Sequence, residues 1–144
     1  MIASATLVYV LDDDPAVGAA LQRLLRSAGH RAVAVSTLPQ LRAALELAKP
    51  SCVIVDLMMP DAAAVHRLLR EAGASIRVIY VSTQMTELQR ARLMARGAYR
   101  CLEKPLDADE LLEAIAGTSE SAPQLSLALS LRRSAVPGVG IEPT

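Results

Sequence analysis

Carboxylates, a hydroxyl and an amine recur in this chain at one kind of place, directly after short apolar runs. Leu7-Val8-Tyr9-Val10-Leu11 leads into Asp12-Asp13-Asp14; Cys52-Val53-Ile54-Val55 ends in Asp56; Val78-Ile79-Tyr80-Val81 ends in Ser82-Thr83; and the run from Tyr99 to Leu102 is followed by Glu103-Lys104-Pro105. Carboxylates gathered in one crevice repel each other unless a cation joins them. A hard divalent ion offsets that repulsion, and Mg²⁺ commonly takes one or two carboxylates together with waters and a phosphate oxygen. A carboxylate in such a place is also a nucleophile toward phosphorus, giving an aspartyl phosphate. In that chemistry Asp12, Asp13 and Asp56 supply the metal-binding and nucleophilic carboxylates, Lys104 would balance a phosphoryl oxygen and Ser82 could hydrogen-bond another.

These residues meet only if the elements that carry them place their tips side by side. Small and β-branched residues in unbroken runs suit strands buried on both faces. Between them, Val17, Leu21, Leu24, Leu25 and Ala28 recur at helical spacing after an Asp14-Pro15 start and before Gly29. Arg31 to Val35 reads as a second strand, and Leu38, Leu41, Leu45 and Ala48 as a short helix ended by Pro50. A third helix carries Val65, Leu68 and Leu69 inward and stops at Gly73; a fourth, Thr86 to Arg96, shows Leu88, Ala91 and Ala95 on one face and stops at Gly97. Asp107 and Glu110 open a fifth, with Leu111, Leu112 and Ile115 as its buried stripe. Five strands alternating with five helices predict an α/β fold, a parallel sheet covered on both faces with right-handed crossovers. Ligands of such sheets bind outside the carboxyl ends of the strands, where the order of neighbours reverses. There Asp12, Asp13, Asp56, Ser82 and Lys104 are expected to converge.

With 144 residues, 52% of them hydrophobic and 21% charged, the chain has the composition of one globular domain. Fifteen basic and fifteen acidic residues cancel, and the aromatics are three Tyr alone, which argues against direct nucleic-acid binding by this chain. Cys52 and Cys101 fall in apolar runs and read as small hydrophobes. Neither a signal peptide nor a membrane-length apolar segment is evident, and a cytoplasmic location is expected. From about Ser119 to Thr144 the pattern gives way to Ser, Pro, Gly and small residues, with only the Leu125, Leu127, Leu129, Leu131 alternation remaining. A domain over 1–118 followed by a flexible tail over 119–144, without an output domain, is the expected organisation.

The ordered set Asp12-Asp13, Asp56 with Pro60 four residues on, Ser82, Gly97-Ala98 and Lys104-Pro105 resembles the receiver domain of bacterial two-component response regulators over roughly residues 6–117. Val10-Leu11-Asp12-Asp13-Asp14-Pro15 and Leu102-Glu103-Lys104-Pro105 are most similar to the receivers that precede LuxR-type (NarL/FixJ-like) DNA-binding domains. The resemblance implies a flavodoxin-like, doubly wound five-stranded parallel sheet in the order 2-1-3-4-5 with five helices. It further implies that Asp56 accepts a phosphoryl group from a sensor histidine kinase or phosphotransfer protein. Asp13, Asp56 and the Met58 backbone carbonyl would ligate Mg²⁺, with Asp12 acting through water, while Ser82 and Lys104 contact the phosphoryl group. Beyond Mg²⁺-dependent self-phosphorylation and autodephosphorylation at Asp56, no enzymatic activity is implied. The Lys104–Pro105 peptide is expected to be cis. A downstream output protein or separate output domain, and a homodimer through the face of the fourth helix, fifth strand and fifth helix, are implied as partners.

Two departures matter. Three residues before the lysine the family usually has Phe or Tyr, and this chain has Cys101; the glycine usual beyond the acceptor is replaced by Ala64. A phosphorylation-independent interaction module therefore stands as the alternative to a signalling switch. A phosphatase with an aspartyl nucleophile fits poorly, because the second Asp expected two residues on is Met58. Met58 and Met59 are expected to pack over the site, His30 and His66 to lie at the surface, and Arg90, Arg92 and Arg96 to form a solvated face.

Overall fold

The computed structural model describes residues 6–119. The tail expected beyond Ser119, with its leucine alternation, lies outside the described residues. The elements run β1 (Leu7–Leu11), α1 (Pro15–Ser27), β2 (Arg31–Val35), α2 (Leu38–Leu47), β3 (Cys52–Asp56), α3 (Ala62–Ala72), β4 (Arg77–Ser82), α4 (Glu87–Ala95), β5 (Arg100–Glu103) and α5 (Ala108–Ser119). All strand pairs are parallel, in the order β2-β1-β3-β4-β5, as expected. The chain leaves β1 for β2 on one side and returns to β3 on the other, which opens the crevice between β1 and β3.

Strand periodicity divides the core in two. Val8, Val10, Cys52, Ile54, Ile79, Val81 and Leu102 face Leu21 and Leu25 of α1 and Leu111, Ala114 and Ile115 of α5. Tyr9, Leu11, Val53, Val55, Tyr80 and Cys101 face Leu41 of α2 and Val65 and Leu69 of α3. Every residue of β3 is buried, so the element that carries Asp56 is the most enclosed strand of the sheet.

Helix starts follow the caps read from the sequence. The Asp14 carboxylate accepts the Ala16 N–H, and Asp107 accepts those of Asp109 and Glu110. Thr86 and Gln89 add a reciprocal capping box at α4. The end of α2 is closed differently. Ala48 is already extended ahead of Pro50, and the buried Tyr9 hydroxyl donates to the Ala44 and Ala48 carbonyls at 2.8 and 2.5 Å. Tyr9→Phe leaves those carbonyls short of a donor and is expected to cost about 1 kcal/mol in urea unfolding without altering the fold.

The fourth helix departs from expectation. Leu88 is 59% exposed and no residue of α4 is buried. It is held instead by partly buried Leu93 and by Arg90, whose guanidinium donates to the Cys101 carbonyl at 2.6 Å. Arg90 is thus an anchor, whereas Arg92 and Arg96 are exposed.

Candidate functional site

At the carboxyl ends of β1 and β3 the apolar runs deliver two nearly buried carboxylates, Asp12 at 2% and Asp56 at 5% exposure, with Asp13 exposed beside them. One oxygen from each of the three lies within 4.8 Å of the others. Each buried carboxylate divides its oxygens between backbone and ammonium. Asp12 Oδ1 accepts the Asp14 N–H at 2.9 Å, and its Oδ2 takes Lys104 Nζ at 3.2 Å. Asp56 Oδ1 accepts the Met58 N–H at 2.9 Å, and its Oδ2 lies 3.5 Å from the same ammonium.

Burial opposes the charge on Lys104, but its hydrogen bond to Asp12 and the charges of Asp12 and Asp56 outweigh that, so its pKa is raised. Three carboxylates against one ammonium leave two negative charges in excess, all on oxygen and open to solvent at Asp13. That donor set fits a small divalent cation.

Asp12, Asp13, Asp56 and Lys104 thus lie together at the strand ends, whereas Ser82 is turned to a partner of its own. Ser82 is buried at the tip of β4, yet its hydroxyl donates to the Gln84 carbonyl at 2.8 Å and accepts the Gln84 N–H at 3.2 Å. To bind another oxygen it must give up this turn. The Lys104 N–H donates to the Ser82 carbonyl at 2.8 Å, tying the ends of β4 and β5 together, and the Lys104–Pro105 bond is cis as expected.

Met58 and Met59 do not act as a pair. Met59 is buried in the core, whereas Met58 is 67% exposed, because the turn after Asp56 points successive side chains in opposite directions. Ala64 lies in the first turn of α3, so the absent glycine does not shape the loop. The left-handed residue there is Asp61, at φ 33°, whose side chain makes no cap bond.

His66 departs from a surface role. Its Nδ1 is 2.6 Å from the Tyr80 hydroxyl, which joins α3 to β4. Burial pushes the Tyr80 phenol up to about 12, Cys101 adding to the rise and Arg70 and Arg96 opposing it. Burial, then Arg70 and Arg96, lower the pKa of His66. A histidine titrating below its unfolded value of 6.5 lets the unfolded chain take up a proton first as pH falls. The stability of the neutral ring is complete above about pH 6.5 and is lost below it until the folded ring is also protonated. His66→Gln is therefore expected to flatten the fall in urea midpoint as pH drops below about 6.5, relative to wild type.

Both cysteines are free and buried; burial raises the Cys101 thiol and pushes Cys52 up to about 12, so they act as small hydrophobes.

A doubly wound sheet with an acidic cluster and a lysine at its switch point defines a class, and the chain belongs to the response regulator receiver domain family, which residues 8–116 match. Among individual relatives, the response regulator protein TodT of Pseudomonas putida is 33% identical over 122 residues, covering 83% of this chain and 54% of TodT. The chain thus spans about half the length of that relative. A response regulator receiver protein from Burkholderia phymatum is 30% identical with a TM-score of 0.69, covering 82% of this chain and 98% of that one. A response regulator from Burkholderia pseudomallei, solved with a phosphorylated aspartic acid, calcium ion and citrate, shares the fold at a TM-score of 0.69 and 16% identity, covering 88% of this chain and 72% of that one. Among the described residues no helix is long and apolar enough to cross a membrane.

Proposed function

We propose that the chain works as a phosphorylation-dependent signalling receiver in which Asp56 takes a phosphoryl group from a sensor histidine kinase or phosphotransfer protein. The observation that carries this is the set of three carboxylates within 4.8 Å of one another at the strand ends, two of them shared by Lys104. Asp56 Oδ1 is occupied by the Met58 amide, which leaves Oδ2, beside Lys104, as the attacking atom. A new P–O bond forms there as the P–N bond to the donor imidazole breaks, the ring nitrogen keeping the electron pair and taking up a proton. Lys104 balances charge on the transferred group, and Ser82, released from its turn with Gln84, donates to another phosphoryl oxygen. Asp12, Asp13, Asp56 and the Met58 carbonyl would hold Mg²⁺, which when bound supplies charge neutralisation at the phosphoryl oxygens.

The phosphorylated state acts through a downstream output protein or a separate output domain, this chain itself making no nucleic-acid contact. The face of α4, β5 and α5 serves as the partner or homodimer surface, the setting is cytoplasmic, and the likeness to receivers preceding LuxR-type domains rests on the runs ending in Pro15 and Pro105. A second reading, a constitutive interaction module, is favoured by one observation: the β5 residue against Met94 of α4 is Cys101, where the resemblance leads one to expect an aromatic. Incubation of the 144-residue chain with Mg²⁺ and acetyl phosphate separates them. A gain of one phosphoryl mass is expected; no gain under saturating donor would leave the module reading.

A further inference from the structure

Between α3 and α4 lies a groove whose charge is opposite to that of the acidic crevice. Its larger part, about 430 Å³, is floored by Leu57, Ala63 and Leu93 and bordered by Arg67, Arg70 and Arg96. A second hollow of about 200 Å³ shares His66, Arg70, Tyr80 and Arg96 with it. No acidic side chain lines either part. Among the described residues, Arg67, Arg70 and Arg96 form no ion pair, the only ion pairs being those of Lys104. Arg70 and Arg96 come from different elements, yet both line each part of the groove beside His66 and Tyr80. Like charges brought together without a counter-charge repel, and the natural relief is an anion.

His66 and Tyr80, whose Nδ1 and hydroxyl lie 2.6 Å apart, form a wall common to both parts of the groove.

We infer that the groove between α3 and α4 is a binding site for a small phosphate monoester, its dianionic head between Arg70 and Arg96 and its apolar body on Leu57, Ala63 and Leu93. Two guanidinium groups on one groove match a dianion in charge, and each offers a fork of N–H donors to phosphate oxygens. The volume suits a mononucleotide-sized or smaller organic ligand. Inorganic phosphate would use the head site alone and leave the apolar floor wet.

The test is calorimetric titration of the 144-residue chain with phenyl phosphate in EDTA, so that no divalent ion draws the probe to the carboxylates. Saturable binding in the millimolar range or tighter is expected, weakened at least about tenfold in Arg70→Ala/Arg96→Ala. Both arginines are exposed, so that variant should remain folded by circular dichroism. Arg23→Ala/Arg92→Ala removes the same charge from exposed positions outside the groove and is expected to bind as wild type does. Inorganic phosphate should bind at least about fivefold more weakly than phenyl phosphate, the difference being the buried ring. Absence of saturable binding, equal loss in the two double variants, or equal affinity for inorganic and phenyl phosphate would each overturn the assignment.

Discussion

Asp56→Asn is expected to reduce phosphoryl incorporation from acetyl phosphate to background while leaving the protein at least as stable as wild type. The argument for lost incorporation is chemical. A carboxamide keeps the shape of the side chain and can still accept the Met58 N–H, but it lacks the anionic oxygen that attacks phosphorus. The argument for retained stability is electrostatic. Asp56 is one of three clustered carboxylates, and removing its charge leaves Lys104 paired with Asp12 at 3.2 Å while relieving repulsion with Asp12 and Asp13. Intact-mass measurement on the treated protein and a urea melt of the untreated variant read the two halves separately. Full incorporation in Asp56→Asn would move the acceptor to another residue, whereas loss accompanied by unfolding would say nothing about chemistry, so the melt is part of the result.

Much of this was legible in the sequence because of where polarity changes abruptly. β1, β2 and β3 end where apolar runs meet a charged or hydroxyl residue, and the strand ends that carry Asp12 and Asp56 coincide with the chemical signal. β4 and β5 each extend to a polar neighbour, Arg77 and Ser82 in one and Glu103 in the other, because ladder hydrogen bonds continue for a residue after side-chain polarity has changed. Legibility fails where a polar side chain does structural work at long range. Arg90 reads as one more charge on a solvated helix until α4 is seen to rest on the Cys101 carbonyl, and His66 shows no nearby partner because Tyr80 arrives from the next strand. The orientation of Ser82 toward Gln84 is set by a turn whose geometry no residue pattern announces.

Cys101 illustrates how register reshapes a deficit read from one position. The residue paired with it across the β4–β5 ladder is Tyr80, on the same face of the sheet. The aromatic ring missing from β5 therefore has a counterpart one strand inward, anchored to α3 through His66 and not free against α4. The space beside Cys101 is taken by Met94, sulfur to sulfur at 4.0 Å. Polarizable, unbranched side chains fill such gaps with little directional preference, so the contact between β5 and α4 is adaptable where an aromatic would make it rigid.

Lys104→Ala is the second large effect, and it is expected to appear in stability before it appears in signalling. The ammonium serves two carboxylates that are almost wholly withdrawn from water, Asp12 at 2% and Asp56 at 7% side-chain exposure. Removing one partner of a buried ion pair leaves uncompensated charge and typically costs about 3–5 kcal/mol. Lys104 itself retains 20% exposure, so water already screens part of the interaction and about 2–3 kcal/mol is the expected loss. A shift of the urea midpoint with unchanged m-value would identify it as a native-state effect. Because the carboxylates remain, the variant carries three negative charges where wild type has a surplus of two, and a divalent cation should stabilise it more than it stabilises wild type. Melting temperatures with and without Mg²⁺ therefore test the site independently of phosphoryl transfer: a larger Mg²⁺-induced rise in Lys104→Ala supports a cation among Asp12, Asp13 and Asp56, and equal rises would place the ion elsewhere.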